Sequence, residues 1–364
     1  MPASEHIFDP EAIRDPGPGA PEAPTPGAAA PERELEAALR PRELEDFVGQ
    51  PRTLGNLRIA LEAAASRGDT LDHVLLSGPP GLGKTSLARI LAHEVGSQLH
   101  TVSGPALERP RDLVGVLTQL GRGDVFFIDE IHRMPASVEE YLYTAMEDFR
   151  VEVTLDQGPH ARVLPLTLEP FTLVGATTRE GLLSAPFRAR FGLFERLTPY
   201  PTEDLVRILQ RAAGLMGLRL DDEAAELLGS RSRGTPRIAN RFLRRARDVA
   251  QVGGSPGVTA ELALEALGRM GIDEHGLEEM DRRVLACLAQ SPGMPVGVRT
   301  IAASVGETEG TIEEVFEPHL LRCGFLQRTS RGRVITGAGL EVLGLDPGLL
   351  QGDGQGSGQG GLYS

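Results

Sequence analysis

The feature that most restricts the fold is a glycine-rich motif between two patterned segments. The apolar run HVLLS at residues 73–77 leads into GPPGLGKT at residues 78–85, where the helical pattern TSLARILAHEV begins. This order fits G-x-x-x-x-G-K-[ST] between a strand and a helix, where backbone N–H groups and the helix N-terminus surround a phosphate. We expect Lys84 to reach the terminal phosphates of a nucleotide and Thr85 to bind Mg²⁺. The motif therefore predicts a nucleotide-binding α/β domain.

Lys84 is also unusual in the composition. It is the only lysine in the chain, although lysine and arginine together number 37. An ammonium is a compact point charge, whereas a guanidinium is a wide planar fork. A chain that otherwise uses arginine therefore indicates a specific requirement for an ammonium at position 84.

A second apolar run ends in two carboxylates. VFFIDEIH, residues 125–132, places Asp129 and Glu130 at the carboxyl end of a predicted strand, the edge at which parallel α/β sheets bind ligands. We expect Asp129 to hold Mg²⁺, directly or through water, and Glu130 to orient and polarise an attacking water. His132 is assigned no catalytic role.

Three further features favour a ring-forming ATPase over a simple nucleotide switch. FTLVGATTR is a buried strand ending in Thr177 and Thr178; Thr178 is assigned to the catalytic set, although either hydroxyl could sense a γ-phosphate. SAPFRARF carries Arg188 and Arg190 on an otherwise apolar segment, as an arginine finger would. Arg237 lies in the first turn of a predicted helix, where a cation opposes the helix dipole unless it faces a phosphate.

The chain divides by its patterns into five regions. In the first patterned segment, short strand-like runs alternate with helices, which predicts a parallel sheet. A purely helical stretch follows. The last segment has helices followed by a basic hairpin, an order typical of a winged helix. We expect a proline- and alanine-rich leader at 1–31, an α/β ATPase domain at 32–200, a small helical domain at 201–271, a winged-helix domain at 272–350 and a glycine-rich tail at 351–364.

Charge and hydrophobicity exclude several classes of protein. The formal net charge of −14 excludes a uniformly basic nucleic-acid binder, so any DNA contact requires a local basic patch. No apolar run is long enough to cross a membrane, and the N-terminus lacks the pattern of a signal peptide. We therefore expect a soluble cytoplasmic protein with no membrane association.

The predicted wing of the last domain supplies such a patch. The window from His319 to Thr336 contains four arginines and no acidic residue. Such a patch favours contact with phosphates, and the scarcity of base-reading side chains near the hairpin indicates binding to the backbone rather than to a sequence.

A β-hairpin is predicted between the segment ending MEDF and the strand FTLVGATT. Val151, Val153 and Leu155 alternate with polar residues before an Asp-Gln-Gly-Pro turn. Exposed apolar residues on a finger of this kind indicate a protein contact, although the hairpin could instead fold onto its own domain.

Together these segments resemble the AAA+ ATPases and, within them, the RuvB family of bacterial Holliday-junction branch-migration motors. The resemblance covers about residues 35–345 and rests on strings such as LRPRELEDFVGQ, HVLLSGPPGLGKTSLA, GDVFFIDEIHR, EPFTLVGATTREGLLSAPFRARFG and GFLQRTSRGRV. It implies an ATPase that pulls duplex DNA through a hexameric ring in recombination and DNA repair. It also implies RuvA and Holliday-junction DNA as partners, with RuvA bound to the predicted β-hairpin. The RuvC resolvase is a further candidate partner.

The resemblance implies roles for single residues as well. Arg190 matches the finger that acts in trans, Arg237 the second sensor, and Arg328 and Arg333 contacts to the DNA backbone. The sequence departs from the family pattern at Ser86, where a second threonine is usual, and at Ala189, where aspartate is common. Neither difference removes a required group. The implied ATP contacts are Leu39, Arg40, Gly81, Lys84, Thr85, Ser86, Glu147, Asp148, Phe149, Arg190, Tyr200 and Arg237.

Two other functions remain as alternatives. A related AAA+ protein could load a clamp or a helicase onto DNA, but clamp loaders usually end in a helical collar rather than a winged helix. A DNA-bound transcription regulator with an ATPase switch would need a polymerase-contacting loop or a sequence-reading helix, and neither is visible in the sequence.

Overall fold

The computed structural model describes residues 38–154 and 163–351. The chain divides into two compact units, Met1–Arg40 and Pro41–Ser364. Residues 38–40 are the described part of the first unit. The expected leader at 1–31, and the expected tail apart from Gln351, lie outside the described residues. The fold given below is that of the second unit.

A parallel sheet forms the first folded region of this unit. Its strands are β1 (Val74–Ser77), β2 (Leu99–Ser103), β3 (Val125–Asp129), β6 (Thr172–Thr177) and β7 (Leu193–Arg196). They lie in the order β2-β3-β6-β1-β7, and every neighbouring pair is parallel. The central strands are buried along almost their whole length, which explains their continuous apolar sequences. The predicted parallel α/β fold is confirmed.

Helices and one hairpin connect these strands. The helices are α1 (Pro51–Arg67), α2 (Lys84–Glu94), α3 (Pro110–Leu117), α4 (Ala136–Asp148) and α5 (Ala185–Arg188). The antiparallel hairpin of β4 (Arg150–Thr154) and β5 (Val163–Thr167) follows α4. A large apolar cluster that includes Phe126, Phe171 and Phe187 packs the helices against the sheet.

Four helices form the lid region that follows the sheet. They are α6 (Thr202–Leu215), α7 (Asp222–Arg231), α8 (Pro236–Val252) and α9 (Ala260–Arg269), with a short parallel pair of strands, β8 (Arg219–Leu220) and β9 (Gly257–Val258). In α8 the residues Ala239, Phe242, Leu243, Ala246 and Ala250 are buried at helical spacing, while most of its arginines lie on the other face.

The last region has the winged-helix arrangement predicted from the sequence. Its elements are α10 (Glu279–Ala289), α11 (Val298–Val305), α12 (Glu309–Thr311), a π-helical turn (Ile312–Phe316), α13 (Glu317–Arg322), the antiparallel wing β10 (Leu326–Thr329) and β11 (Gly332–Ile335), and α14 (Gly337–Val342). Its core includes Leu285, Ile301 and Leu320, all 0% exposed. Among the helices of the described residues, each is too short or too polar to cross a bilayer.

A buried ion pair joins the lid region to the winged helix. Arg233 donates to Asp281 at 2.6 Å and to the carbonyl oxygen of Gly276 at 2.8 Å, and its own carbonyl accepts from Arg322 at 2.7 Å. Asp281 is fully buried. Removing one partner would leave a buried charge without a counter-charge, at a cost of roughly 3–5 kcal/mol. The pair therefore holds the two regions in one relative position.

Candidate active site

The loop between β1 and α2 is shaped by glycines. Gly81 and Gly83 have φ of 80° and 106°, a backbone region that favours glycine. A Cβ atom on Gly81 would lie 2.8 Å from Thr235 Cγ2, and one on Gly83 would lie 2.9 Å from Phe47 Cζ. The absence of side chains here lets the loop curl tightly in front of α2, the geometry that exposes backbone N–H groups to a phosphate.

Lys84 is held inside this loop. Its Nζ donates to the carbonyl oxygens of Gly78 at 2.7 Å and Pro79 at 2.9 Å, and the residue is only 7% exposed. Burial lowers the pKa of the ammonium, while the charges of Glu130 and Asp129 raise it. The structure thus brings Lys84 close to both predicted carboxylates. Thr85 and Ser86 follow it in the first turn of α2, and both are half-buried.

Glu130 has an unusual backbone conformation at the carboxyl end of β3. Its φ of 51° lies in the left-handed region, which a residue with a side chain rarely adopts. The turn lets its backbone N–H donate to Asp129 Oδ1 at 3.0 Å. Backbone strain of this kind is concentrated at functional sites. Here the strained residue carries one of the two carboxylates predicted for the site.

The structure distinguishes between the two threonines at the end of β6. Thr177 is fully buried, and its Oγ1 lies 2.9 Å from His132 Nδ1. Thr178 Oγ1 instead donates to Glu130 Oε2 at 3.4 Å. Thr178 is therefore the hydroxyl beside the candidate water-orienting carboxylate, which supports its assignment as the sensor.

His132 is a residue of the site that the sequence analysis missed. Its Nε2 lies 3.4 Å from Glu130 Oε2, and its side chain is 6% exposed. Burial lowers the pKa of the imidazole, so the ring is neutral at pH 7. The available signal was the spacing Asp-Glu-x-His, which places the ring one short turn after Glu130.

Arg237 of the lid region and Tyr200, just before that region, face the same loop. Arg237 is the second residue of α8, and its Cβ would lie 3.1 Å from a Cβ on Gly81. Its charge lowers the pKa of Lys84, so two cations lie close together, as at a site that binds an anion. Tyr200 is 6% exposed and donates its hydroxyl to the Leu82 carbonyl oxygen at 3.1 Å, and burial raises the pKa of its phenol.

Mg²⁺ is the metal that such a nucleotide site implies. Thr85 offers a hydroxyl and Asp129 a carboxylate, the hard oxygen donors that Mg²⁺ prefers. In residues 38–154 and 163–351, no group of three or more His, Cys, Asp or Glu side chains could hold a metal ion. Mg²⁺ commonly takes one or two protein ligands and completes its shell with phosphate oxygens and water. The donor set therefore fits the metal.

Arg190 forms its contacts with the C-terminal half of α4. Its guanidinium lies 2.7 Å from Glu147 Oε2, bonds to the Tyr143 hydroxyl, and stacks over the Tyr143 ring at 4.4 Å. The side chain of Arg190 is a third exposed. Arg190 and Glu147, two of the expected nucleotide contacts, are thus brought together.

These two residues lie near the amino ends of the parallel strands, whereas Lys84 lies at their carboxyl ends. Phe149 at the end of α4 has its ring 6.4 Å from that of His73 and 5.8 Å from that of Phe171, which immediately precede β1 and β6. The chain after Arg190 enters β7 beside His73, where Leu193 N donates to His73 O at 3.1 Å. The four residues of β1 separate the two edges by roughly 13 Å. Glu147, Asp148, Phe149 and Arg190 are therefore remote from the loop of their own chain.

The wing contains both an exposed and a buried arginine. The side chain of Arg328 is 60% exposed and lies 3.4 Å from Glu313 Oε1. Arg333 is only 7% exposed and forms ion pairs with Glu317 at 2.7 Å and Glu313 at 2.9 Å. Arg322 donates to the lid, and Arg331 is exposed at the hairpin turn. Folding therefore brings acidic residues against a window that has none in its own sequence.

The hairpin of β4 and β5 is present, but Val151 is not exposed as predicted. Val151 is 1% exposed and, with its cross-strand partner Leu166, packs in the core of the first region. This expectation was wrong because the base of the hairpin closes over the core. Val153 pairs with Leu164, which is 44% exposed, and Leu155 lies outside the described residues.

Leu39 and Arg40 belong to the first compact unit. Their expected position beside an adenine stays a prediction.

Family models match three consecutive parts of the chain. A model of the Holliday junction DNA helicase RuvB P-loop domain matches residues 39–197, one of the RuvB AAA lid domain matches residues 200–273, and one of the RuvB C-terminal winged helix domain matches residues 274–344.

Full-length relatives and solved structures agree with these matches. The Holliday junction branch migration complex subunit RuvB of Chlorobium luteolum is 56% identical over 306 residues, which are 84% of this chain and 89% of the relative. The Myxococcus xanthus protein of the same name is 57% identical over 303 residues, 83% of this chain and 88% of the relative. The Thermotoga maritima RuvB Holliday junction branch migration motor superposes with a TM-score of 0.77 at 46% identity, covering 85% of this chain and 99% of that one.

Proposed function

The chain belongs to the RuvB family, and from this membership we propose that it is an ATP-driven motor that moves Holliday junctions together with RuvA. The observation that carries the proposal is the separation of its charged groups. Lys84 and Glu130 lie at the carboxyl edge of the sheet, while Arg190 and Glu147 lie at the amino edge. Each chain therefore offers two halves of a catalytic site rather than one whole site.

The first half binds and hydrolyses ATP. Lys84 neutralises the terminal phosphates, backbone N–H groups of the loop surround them, and Arg237 approaches from the lid. Glu130 orients and polarises the attacking water, with Thr178 beside it to sense the γ-phosphate. Thr85 and Asp129 would hold Mg²⁺, which supplies charge neutralisation at the phosphates.

The second half acts on a neighbouring subunit. Arg190 supplies a guanidinium to the nucleotide bound by the next chain, and the adjacent residues Glu147, Asp148 and Phe149 line that same nucleotide. Closing this head-to-tail contact generates a ring, for which we propose six subunits. Leu39, Arg40, Gly81, Ser86 and Tyr200 complete the ATP contacts.

The winged helix contacts duplex DNA through its wing. The exposure of Arg328 supports a direct phosphate contact, and Arg331 beside it adds a second cation. The ion pairs of Arg333 support a contribution through the shape of the wing in addition to any phosphate contact. Binding of this kind does not depend on the DNA sequence.

RuvA is the proposed partner of the hairpin, through its distal part at Val153 and Leu155. The exposure of Leu164, the cross-strand partner of Val153, supports an apolar contact there. We further propose that RuvC joins the complex and that the protein works in the cytoplasm. The proposed domains remain residues 32–200, 201–271 and 272–350.

The loader alternative is not favoured, because residues 274–344 match the model of the RuvB C-terminal winged helix domain. The test is movement of a labelled four-way junction by the purified protein with ATP, Mg²⁺ and RuvA. A motor converts the junction into separated duplexes, and Lys84→Ala does not. A folded wild-type ring that hydrolyses ATP on DNA but never moves the junction would overturn the proposal.

A further inference from the structure

Contacts continue from Glu130 away from the nucleotide site. His132 Nε2 lies 3.4 Å from Glu130 Oε2, and His132 Nδ1 lies 2.9 Å from Thr177 Oγ1. Thr177 Oγ1 in turn accepts from the backbone N–H of Arg179 at 3.0 Å. The contacts join the candidate water-orienting group to the segment that leaves β6.

The chemistry of these groups determines which atom donates and which accepts in each contact. A carboxylate can only accept, so the proton of the neutral imidazole belongs on Nε2, towards Glu130. Nδ1 then accepts from the Thr177 hydroxyl, whose oxygen accepts from Arg179. Since His132 and Thr177 are both buried, each depends on its neighbour for a partner. The backbone of Arg179 and the imidazole therefore share one hydroxyl, that of Thr177.

The side chain of Arg179 reaches the winged helix. Its guanidinium lies 2.5 Å from Glu314 Oε1 and 3.9 Å from Glu313 Oε2. Both glutamates lie on the π-helical turn, a geometry that is rare and frequent at functional sites. Of the residues in the catalytic neighbourhood, Arg179 is thus one with a direct contact to the proposed DNA-binding region.

Glu313 also connects this contact to the wing. Its Oε1 accepts from Arg333 at 2.9 Å and from Arg328 at 3.4 Å. A DNA phosphate that binds Arg328 competes with Glu313 for the same guanidinium. Glu313 then has one cation fewer and attracts Arg179 more strongly.

We propose that His132 and Arg179 are positioning residues that set Glu130 according to whether the wing has bound DNA. The proposal rests on the proposed function, in which Glu130 orients the attacking water. DNA at the wing strengthens the contact of Arg179 with the π-helical turn, and the buried contacts through Thr177 and His132 hold Glu130 in its hydrolytic position. ATP hydrolysis is therefore fastest on subunits that hold DNA.

The test measures kcat and KM for ATP with and without duplex DNA. We expect His132→Ala to lower kcat by about 10- to 100-fold with KM changed by less than about twofold, because the loss is one of positioning. In Arg179→Ala the ratio of kcat with DNA to kcat without DNA should fall towards one, while DNA affinity is retained. The charge exchange Arg179→Glu with Glu314→Arg should restore the ratio, whereas Arg179→Glu alone should not.

Matched controls separate this role from general damage. His100→Ala removes a histidine paired with Asp124 on the same sheet at 3.1 Å, and Arg269→Ala removes an exposed ion pair with Glu265 at 2.8 Å. In both variants the ratio of kcat with DNA to kcat without DNA should stay at the wild-type value. Melting temperatures identify variants that have lost their fold, and the charge exchange remains informative if a single variant unfolds.

Distinct outcomes would overturn the inference and the proposed function. If Glu130→Gln abolishes hydrolysis but Arg179→Ala keeps the full DNA ratio, the positioning role is wrong and the ATPase assignment stands. A lack of DNA stimulation in the wild-type protein also contradicts the inference. If Glu130→Gln hydrolyses ATP normally, the proposed function itself loses its catalytic group.

Discussion

Arg190 forms an ion pair with Glu147 at 2.7 Å, at the amino edge of a sheet whose carboxyl edge carries the nucleotide loop. Both residues were expected to contact ATP, yet neither lies beside the phosphates of its own chain. An arginine that is ion-paired with a glutamate already has a defined side-chain conformation before a second subunit binds. This reduces the conformational entropy lost on assembly. This arrangement agrees with catalysis across a subunit boundary.

Lys84 and Glu130 should separate ATP binding from hydrolysis. Lys84→Ala removes hydrogen bonds from a charged donor, worth about 1.5–3 kcal/mol, so ATP affinity should fall roughly 10- to 100-fold. Glu130→Gln should bind ATP normally and lower kcat by about 100-fold or more. Calorimetric titration and steady-state turnover measure the two effects. Equal losses of affinity in both variants would contradict the division of roles.

Arg190→Ala should bind ATP but stop hydrolysis in the assembled ring, with a loss of about 10³-fold or more if the guanidinium acts as a finger in trans. Mixing these subunits with Lys84→Ala subunits should recover partial hydrolysis, because some interfaces then combine an intact loop with an intact finger. Mass photometry confirms that mixed rings form. Mixed rings without any recovered activity would disprove the trans role.

The two arginines of the wing should differ in their effects. Arg328→Ala should weaken binding to any DNA sequence and reduce the slope of log affinity against log salt by about 0.9, one phosphate contact. Arg333→Ala should instead lower the free energy of unfolding by about 3 kcal/mol, because Glu317, which is 2% exposed, loses its closer partner at 2.7 Å and keeps Arg328 at 3.7 Å. Salt titrations and urea unfolding compare the variants. A stable Arg333→Ala protein would show that the pair is unimportant to the fold.

The hairpin should discriminate between an exposed and a buried apolar position. Leu164→Ser, combined with Val153→Ser and Leu155→Ser, should reduce RuvA affinity and RuvA-dependent branch migration while ring assembly and DNA binding persist. Val151→Ser is the contrasting variant, and it should destabilise the fold because Val151 is buried in the core. Unchanged RuvA affinity of the folded triple variant would place the contact elsewhere.

His319 should make the winged helix sensitive to acid. Burial, together with the positive charges of Arg233 and Arg322, lowers the pKa of its imidazole from 6.5 to about 4. The unfolded chain therefore binds a proton between these values before the folded chain does, so the free energy of unfolding decreases as pH falls from 6.5 to 4. The expected decrease is roughly 2–3 kcal/mol. Urea unfolding at several pH values measures it, and a His319→Gln variant with the same acid dependence would rule out this residue as the source.

Local patterns predicted the elements and much of the carboxyl edge of the sheet. The glycines, Lys84 and the strand ending in Asp129 and Glu130 are neighbours in sequence, so backbone geometry alone determines how they are arranged. The sequence also predicted the winged helix from the order of its helices and its hairpin. It did not predict the contacts of His132 with Glu130 and Thr177, because they depend on which groups folding brings to its two ring nitrogens.

The amino-acid sequence by itself determined the phosphate loop, the parallel sheet, the lid and the wing, since each follows from short-range periodicity and turn chemistry. Only the tertiary structure decided which charges meet. Arg333 is paired because packing brings Glu313 and Glu317 against it, Arg179 reaches Glu314 across two folded regions, and Arg190 lies at the opposite edge of the sheet from Lys84. Ion pairs act over a few ångströms, and that distance is set by the packing of segments far apart in the chain rather than by the residues on either side.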